Sequence, residues 1–130
     1  MTQKSETGKL GEDLACEYLL NKSFTIIERN YRKPWGELDI IAKDPKGVLV
    51  FVEVKTMRKY NTANNPAIAE LNPEENLTSV KLKKLKRTAV LYANHKPDLI
   101  NDEKGFRIDL VAITIEGGDC SVKHFENIDF

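Results

Sequence analysis

The chain has 130 residues, 41% hydrophobic and 31% charged, which is enough apolar sequence for one core and sets the expectation of a single domain over 1–130. Twenty basic residues balance twenty acidic ones, so the chain as a whole is not built for indiscriminate attachment to nucleic acid. No apolar run approaches the roughly 18 residues of a membrane span and the stretch Met1–Thr7 lacks the apolar centre of a signal peptide, so a cytoplasmic protein with no membrane partner is expected. Cys16 and Cys120 are too few for a disulfide framework, and with only His95 and His124 beside them no zinc-site spacing arises.

A first helix is expected from about Ser5 to Asn21. At about 100° per residue, Leu10, Leu14, Tyr18, Gly11, Ala15, Gly8 and Leu19 form one arc, in which the two glycines permit close approach to a neighbour. Glu12 falls at the rim of that arc, either as an exposed surface charge or reaching over an adjoining sheet. Phe24–Tyr31 reads as the first strand, centred on Ile26 and Ile27. Arg29, Arg32 and Lys33 cluster at its end and are candidates for phosphate contacts. Trp35 follows, either as a packing residue or as a platform for a base.

The next two strands carry an unusual load. Gly36-Glu37-Leu38-Asp39-Ile40-Ile41 is followed by Phe51-Val52-Glu53-Val54-Lys55, which sets acids and an acid-x-Lys on apolar sequence. A buried carboxylate costs several kcal/mol unless it is paired, hydrogen-bonded or metal-bound, so these groups must be used or neutralised. Strand alternation places Glu37, Asp39 and Ile41 on one face, Val48, Val50, Val52 and Val54 on another, and Leu49, Phe51, Glu53 and Lys55 opposite those valines. Asp44-Pro45-Lys46-Gly47 is a strong turn signal, which predicts an antiparallel hairpin.

With the turn centred near Pro45 and Lys46, residues whose numbers sum to about 91 or 92 face one another, setting Asp39 against Val52 or Glu53. In the second register Glu37 also meets Lys55. Facing carboxylates repel, and a divalent cation converts that repulsion into ligation. Oxygen-only ligands suit Mg²⁺ or Mn²⁺, with water and phosphate completing the shell, and Lys55 beside them is suited to orienting a water or stabilising charge on phosphate.

From Met57 to Leu77 the periodicity lapses into a long loop. A second helix is expected from about Thr78 to Asn94, capped by Thr78 or Ser79, with Leu82, Leu85, Ala89 and Tyr92 buried. Lys81, Lys83, Lys84, Lys86 and Arg87 crowd this helix and are candidates for phosphate contact, or else a solvated face. Lys81 lies at the edge of the buried arc, where it either faces the acids or snorkels to water. Phe106–Ile115 alternates as a strand, with Arg107 and Asp109 a same-face pair read as a structural brace, and Ser121–Phe125 adds an edge strand.

Taken together, these pieces resemble a known family. Gly8-x-x-Gly11-Glu12 with Ala15 and Tyr18-Leu19, Arg29-Asn30-Tyr31-Arg32, Gly36 to Ala42, Phe51 to Lys55, Lys81 and Arg107-x-Asp109 occur in the order seen in the YraN-like (UPF0102) group of the PD-(D/E)xK nuclease superfamily. The resemblance implies an α/β, restriction-endonuclease-like three-layer core: a mixed sheet with a central antiparallel hairpin, flanked by helices. It implies metal-dependent endonucleolytic cleavage of phosphodiester bonds in DNA, with branched and single-stranded forms among the candidates, and similarity to Holliday-junction resolvases. Those resolvases are dimers because they cut two strands symmetrically, so a homodimer enters as an expectation. In similar nucleases a helix-one Glu, here Glu12, joins the strand acids. Two features depart from the family pattern: the long 57–77 connection, and the Arg usually two places after the Lys, since Thr56-Met57-Arg58 follows Lys55.

Two readings follow. In the first, Asp39 and Glu53 hold the metal, Glu12 or Glu37 assists, Lys55 positions the attacking water, and Lys81, Arg32 and Lys84 hold nucleic acid. In the second, the chain is a non-catalytic nucleic-acid-binding module that keeps the fold.

Overall fold

A computed structural model describes residues 6–59, 78–100 and 105–128. In chain order the elements are α1 (Glu6–Asn21), β1 (Thr25–Lys33), β2 (Gly36–Lys43), β3 (Leu49–Lys59), α2 (Ser79–His95), β4 (Phe106–Glu116) and β5 (Asp119–Phe125). The strands form one mixed sheet in the order β1-β2-β3-β4-β5, antiparallel throughout except for the parallel β3–β4 pair. A parallel pair requires a crossover, and α2 lies on that connection. The architecture is thus α/β in three layers, consistent with a restriction-endonuclease-like core.

The pleat of β3 divides the core in two. Val50 and Val52 pack with Ala15, Cys16 and Leu19 of α1, while Leu49 and Phe51 pack with Leu82, Leu85, Ala89 and Tyr92 of α2. The valine face therefore meets one helix and the Leu49, Phe51 face the other. Thr78 caps α2 by accepting the Lys81 N–H at 3.2 Å. The turn between β2 and β3 closes through the Gly47 N–H to Asp44 carbonyl bond, and Asp44 Oδ1 accepts the N–H groups of Lys46 and Val48. Gly47, at φ 83°, supplies the left-handed residue that the turn needs.

Three expectations are corrected. The buried stripe of α1 is Gly11, Glu12, Ala15, Cys16 and Leu19, whereas Leu10 is 41% exposed. The helix is turned so that Gly11 rests on β3; a methyl group there would collide with the Thr56 side chain. Close approach, rather than the largest apolar side chains, selects the buried face.

Strict alternation also fails along β1 and β2. Arg29 reaches the acids of α1, yet Tyr31, two residues on, packs edge-on against Tyr92 of α2. Across the pair, Leu38 joins the α2 side of the core and Ile40 the α1 side. Between them stands Asn30 at φ 54°, and the ladder passes from Arg29↔Ile40 to Tyr31↔Leu38. A left-handed residue turns the chain relative to the sheet, and the break falls on Leu38 and Ile40, whereas Glu37 and Asp39 line a hollow on the α2 side, where Ile41 also packs. Thirdly, β3 continues through Lys59, so Met57 to Lys59 are strand rather than loop. The remainder of the expected loop, 60–77, lies outside the described residues.

Candidate functional site

The β2–β3 ladder runs from Lys43↔Leu49 to Ile40↔Val52, which selects the register that brings Asp39 level with Glu53. Beyond that pair Asp39 Oδ2 accepts the Val54 N–H at 2.9 Å. The carboxylate takes a bond that a strand carbonyl would otherwise make, and so it is fixed beside β3 between Glu53 and Lys55. Glu53 and Lys55 point the same way, with Lys55 Nζ 3.9 Å from Glu53 Oε1. Their side chains are 21% and 25% exposed, a partly desolvated setting in which charges interact more strongly than in water.

Asp39 and Glu53 stand where two hollows meet. On the α2 side is a cleft of about 440 Å³, lined by Glu37, Asp39 and Glu53 together with Lys33, Lys55, Lys81 and Lys84. Three carboxylates and four lysines thus share one cavity. On the α1 side a hollow of about 270 Å³ is lined by Thr7, Gly8, Glu12, Asp39, Glu53, Val54 and Thr56.

Glu12 sits deeper than its sequence position suggested. It is 2% exposed, on the buried face of α1, with the Arg29 guanidinium 3.5 Å from its Oε1. The contact of Gly11 with Thr56 carries it there, because Thr56 lies just beyond Lys55 on β3. Arg29 also donates to Asp13 at 2.6 Å, so it belongs to the α1 acids and not to the basic wall of the cleft.

Of the basic candidates, Lys81 and Lys84 line the cleft, three residues apart on one face of α2. Arg32 does not line it; Arg32 pairs in register with Glu37 across β1–β2, and Lys33 occupies the wall instead. The sequence offered Arg29, Arg32 and Lys33 alike as candidate phosphate contacts, and of these three Lys33 lines the cleft. The signal available was its place in Lys33-Pro34-Trp35-Gly36, the turn that opens the acidic strand. Gly36 packs against Thr88 so closely that a methyl group would strike the Thr88 hydroxyl, which draws this turn onto α2.

Arg107 and Asp109 form a different kind of site. Asp109 is fully buried and accepts from Arg107 Nε at 3.0 Å and from the Asn127 N–H at 2.9 Å, while its Oδ2 lies 2.8 Å from His124 Nε2. Arg107 also donates to Asp44 of the hairpin turn at 2.5 Å. Burial alone would raise the Asp109 carboxyl, but His124, Arg107 and the Asn127 N–H outweigh it and hold the group below its ordinary value. This is a brace tying hairpin, β4 and the segment after β5, as the strand pattern suggested.

The donor set at the cleft is all oxygen, which suits Mg²⁺ or Mn²⁺ rather than zinc. Among the described residues no three Asp, Glu, His or Cys side chains converge closely enough to hold a metal by themselves. Magnesium commonly uses only one or two carboxylates and keeps its waters, so Asp39 and Glu53 suffice on chemical grounds, with Glu12 behind them. Among the described residues no helix is long and apolar enough to cross a membrane.

Comparison with known proteins agrees with the resemblance drawn from the motifs. The pattern of the uncharacterised protein family UPF0102 matches residues 11–113. A UPF0102 protein of Syntrophomonas wolfei is 35% identical over 122 residues, covering 94% of this chain and 96% of the relative. Another from Thermodesulfovibrio yellowstonii is 37% identical over 125 residues, covering 96% of each. A third, from Thermotoga petrophila, is 38% identical over 121 residues, covering 92% of this chain and 94% of the relative. With the pattern spanning most of the chain and relatives aligned nearly end to end, the chain belongs to the UPF0102 family.

Proposed function

We propose that the cleft is the active site of a Mg²⁺- or Mn²⁺-dependent endonuclease that hydrolyses phosphodiester bonds in DNA. The observation that carries this reading is the placement of Asp39 and Glu53 at the junction of both hollows, with Lys55 beside Glu53 and further lysines on the wall. Asp39 and Glu53 would hold the cation, with Glu12 supporting from α1. Bound there, a divalent cation supplies Lewis-acid stabilisation of charge developing on phosphate.

The chain's own groups then divide the remaining work. Lys55 orients the attacking water at Nζ and offsets negative charge on the phosphate. Lys81, Lys84 and Lys33 hold phosphates on either side of the scissile bond, which supplies orientation. Glu37, exposed at the cleft edge, is placed to accept a proton from water. The Val54 N–H keeps Asp39 in one orientation, so little reorganisation accompanies binding.

A second reading, a non-catalytic nucleic-acid-binding module, is favoured by the spacing of the acids, since no three of them converge among the described residues. One experiment separates the two. End-labelled single-stranded, duplex, flap and four-way-junction DNA are incubated with Mg²⁺, Mn²⁺ or EDTA, with Glu53→Gln run beside the wild type. Cutting only by wild type and only with metal is the expected result. Cutting by Glu53→Gln at the wild-type rate removes the assignment of this site, and binding without cutting on every substrate favours the module.

A further inference from the structure

Beyond Thr88 the same face of α2 lines a second, aromatic hollow of about 300 Å³, whose walls include Trp35, Tyr31, Tyr92, Glu28, Lys33 and Lys96. Lys33 belongs to both this hollow and the acidic cleft, so the two adjoin at the turn that opens β2. Trp35 is 39% exposed. A tryptophan used only for packing gains by burying its ring, whereas one held at the mouth of a hollow beside a basic wall offers a stacking surface.

The floor of the hollow is built and ordered. Tyr31 and Tyr92 meet edge to face with ring centroids 5.0 Å apart, and Lys33 Nζ lies 5.6 Å from the Tyr31 ring centre. The Tyr92 hydroxyl donates to Glu28 Oε2 at 3.0 Å. Burial, with the neighbouring Glu28 carboxylate, pushes the Tyr92 hydroxyl up to about 12, so it remains a donor at neutral pH and keeps Glu28 oriented as an acceptor. Aromatic faces, an oriented carboxylate and flanking lysines match a flat heteroaromatic ring that carries N–H donors and is attached to an anionic chain.

We infer that this hollow receives an unpaired nucleobase of a strand whose phosphates run along the lysines of the adjoining cleft, so that the protein selects single-stranded or splayed nucleic acid over continuous duplex. Lys81 and Tyr92 are separated along α2 by about 16 Å at ~1.5 Å per residue, the rise of about five stacked nucleotides at ~3.4 Å each. A base held at the aromatic end therefore sits a few nucleotides from the acids. In an intact duplex the bases are paired and stacked, and none is available to Trp35 without unstacking. The inference rests on the nucleic-acid reading of the cleft and adds to it the form of the substrate.

Trp35 is the only tryptophan in the chain, so its emission reports on this hollow alone. The test is titration in EDTA, where no metal-dependent cutting occurs. Fluorescein-labelled oligothymidylate, a labelled duplex and a labelled strand of abasic residues give affinity by anisotropy; unlabelled counterparts give Trp35 emission. The expected result is quenching by oligothymidylate at saturation, with little change for the duplex or the abasic strand. Trp35→Ala should bind oligothymidylate about tenfold more weakly, with duplex affinity unchanged, and Trp35→Phe should recover most of the loss. Oligothymidylate binding with unaltered Trp35 emission, or wild-type affinity in Trp35→Ala, overturns the base site while leaving the cleft reading in place. Absence of binding by any of the three strands overturns both.

Discussion

The two ends of the β2–β3 hairpin carry similar chemistry and treat it in opposite ways. Near the turn, Asp44, Arg107, Asp109 and His124 form a network in which Asp109 is fully buried and bonded by two side chains and a backbone N–H. At the open end, Glu53 and Lys55 stand 3.9 Å apart with a fifth to a quarter of each side chain exposed, and the walls hold more lysines than acids. Carboxylates among cations are therefore not diagnostic by themselves. Burial with saturated hydrogen bonding marks a brace, and partial exposure at the junction of two cavities marks a place for a ligand.

The largest expected effect breaks the open end without touching the brace. Asp39→Asn keeps a side-chain oxygen for the Val54 N–H but removes the charge. Turnover should fall by about a thousandfold or more, while stability stays within about 1 kcal/mol of wild type. Cleavage of end-labelled DNA and urea unfolding of the same preparation check both halves. Cleavage at the wild-type rate would show that the open end is no more catalytic than the turn end.

The brace responds in the opposite sense. Asp109→Ala leaves the Arg107 guanidinium and His124 without their buried partner and should cost about 3–5 kcal/mol in urea unfolding, because one member of a buried charge network is removed and the others stay. A loss below about 1 kcal/mol would remove the distinction between the two ends.

Acid titration sharpens the same point. Asp109 and Asp44 are both held below their ordinary value of 3.8: burial opposes this in each, and hydrogen bonds from Arg107 and backbone N–H groups, with His124 for Asp109, outweigh it. A carboxyl whose value is lowered by folding stabilises the folded state fully above its unfolded value, and that contribution is lost as pH falls from 3.8 through the folded value. Wild type should lose stability steeply below about pH 4, and Asp109→Asn should lose less over the same interval, measured by urea midpoints across the pH series.

Much of this was legible in the sequence. The hairpin, its register to within one residue and the sharing of Glu53 and Lys55 on one face followed from the period of the pleat and the Asp44–Gly47 turn, because both signals are local. The position of Glu12 was less legible, since the apolar arc pointed toward Leu10 and only the contact of Gly11 with Thr56 turns the helix. Nor did alternation reveal the break at Asn30, across which Arg29 and Tyr31 face opposite helices. Lys33 could not be singled out from Arg29 and Arg32 as the wall residue because its place depends on Gly36 meeting Thr88, a contact between elements more than fifty positions apart. Local periodicity predicts elements well, and close tertiary contacts decide which side chain at an element's edge reaches the site.

The contact of Gly36 with Thr88 offers a smaller break. Gly36→Ala should cost about 1–3 kcal/mol by overpacking, and adding Thr88→Ala should recover part of that loss because the two sites share one volume. The recovery is read as a coupling energy from four urea midpoints. Simple addition of the two single losses would mean that the turn is not drawn onto α2 at this point.

The smallest effect concerns the cap of α2. Thr78 Oγ1 accepts the Lys81 N–H at 3.2 Å, so Thr78→Ala leaves that amide to water and loosens the helical turn that carries Lys81. Loss of a threonine cap costs about 1 kcal/mol, seen as a lower urea midpoint with unchanged slope. The open end should register the change as well, because a frayed first turn spreads Lys81 over more positions and weakens phosphate contact by about twofold to threefold at low salt. The brace lies beyond this helix and should show no change in its acid titration. A cap variant that lowers stability and leaves DNA affinity intact would mean that Lys84 and Lys33 hold the phosphate without Lys81, which confines the basic wall to the side of the cleft nearer the aromatic hollow.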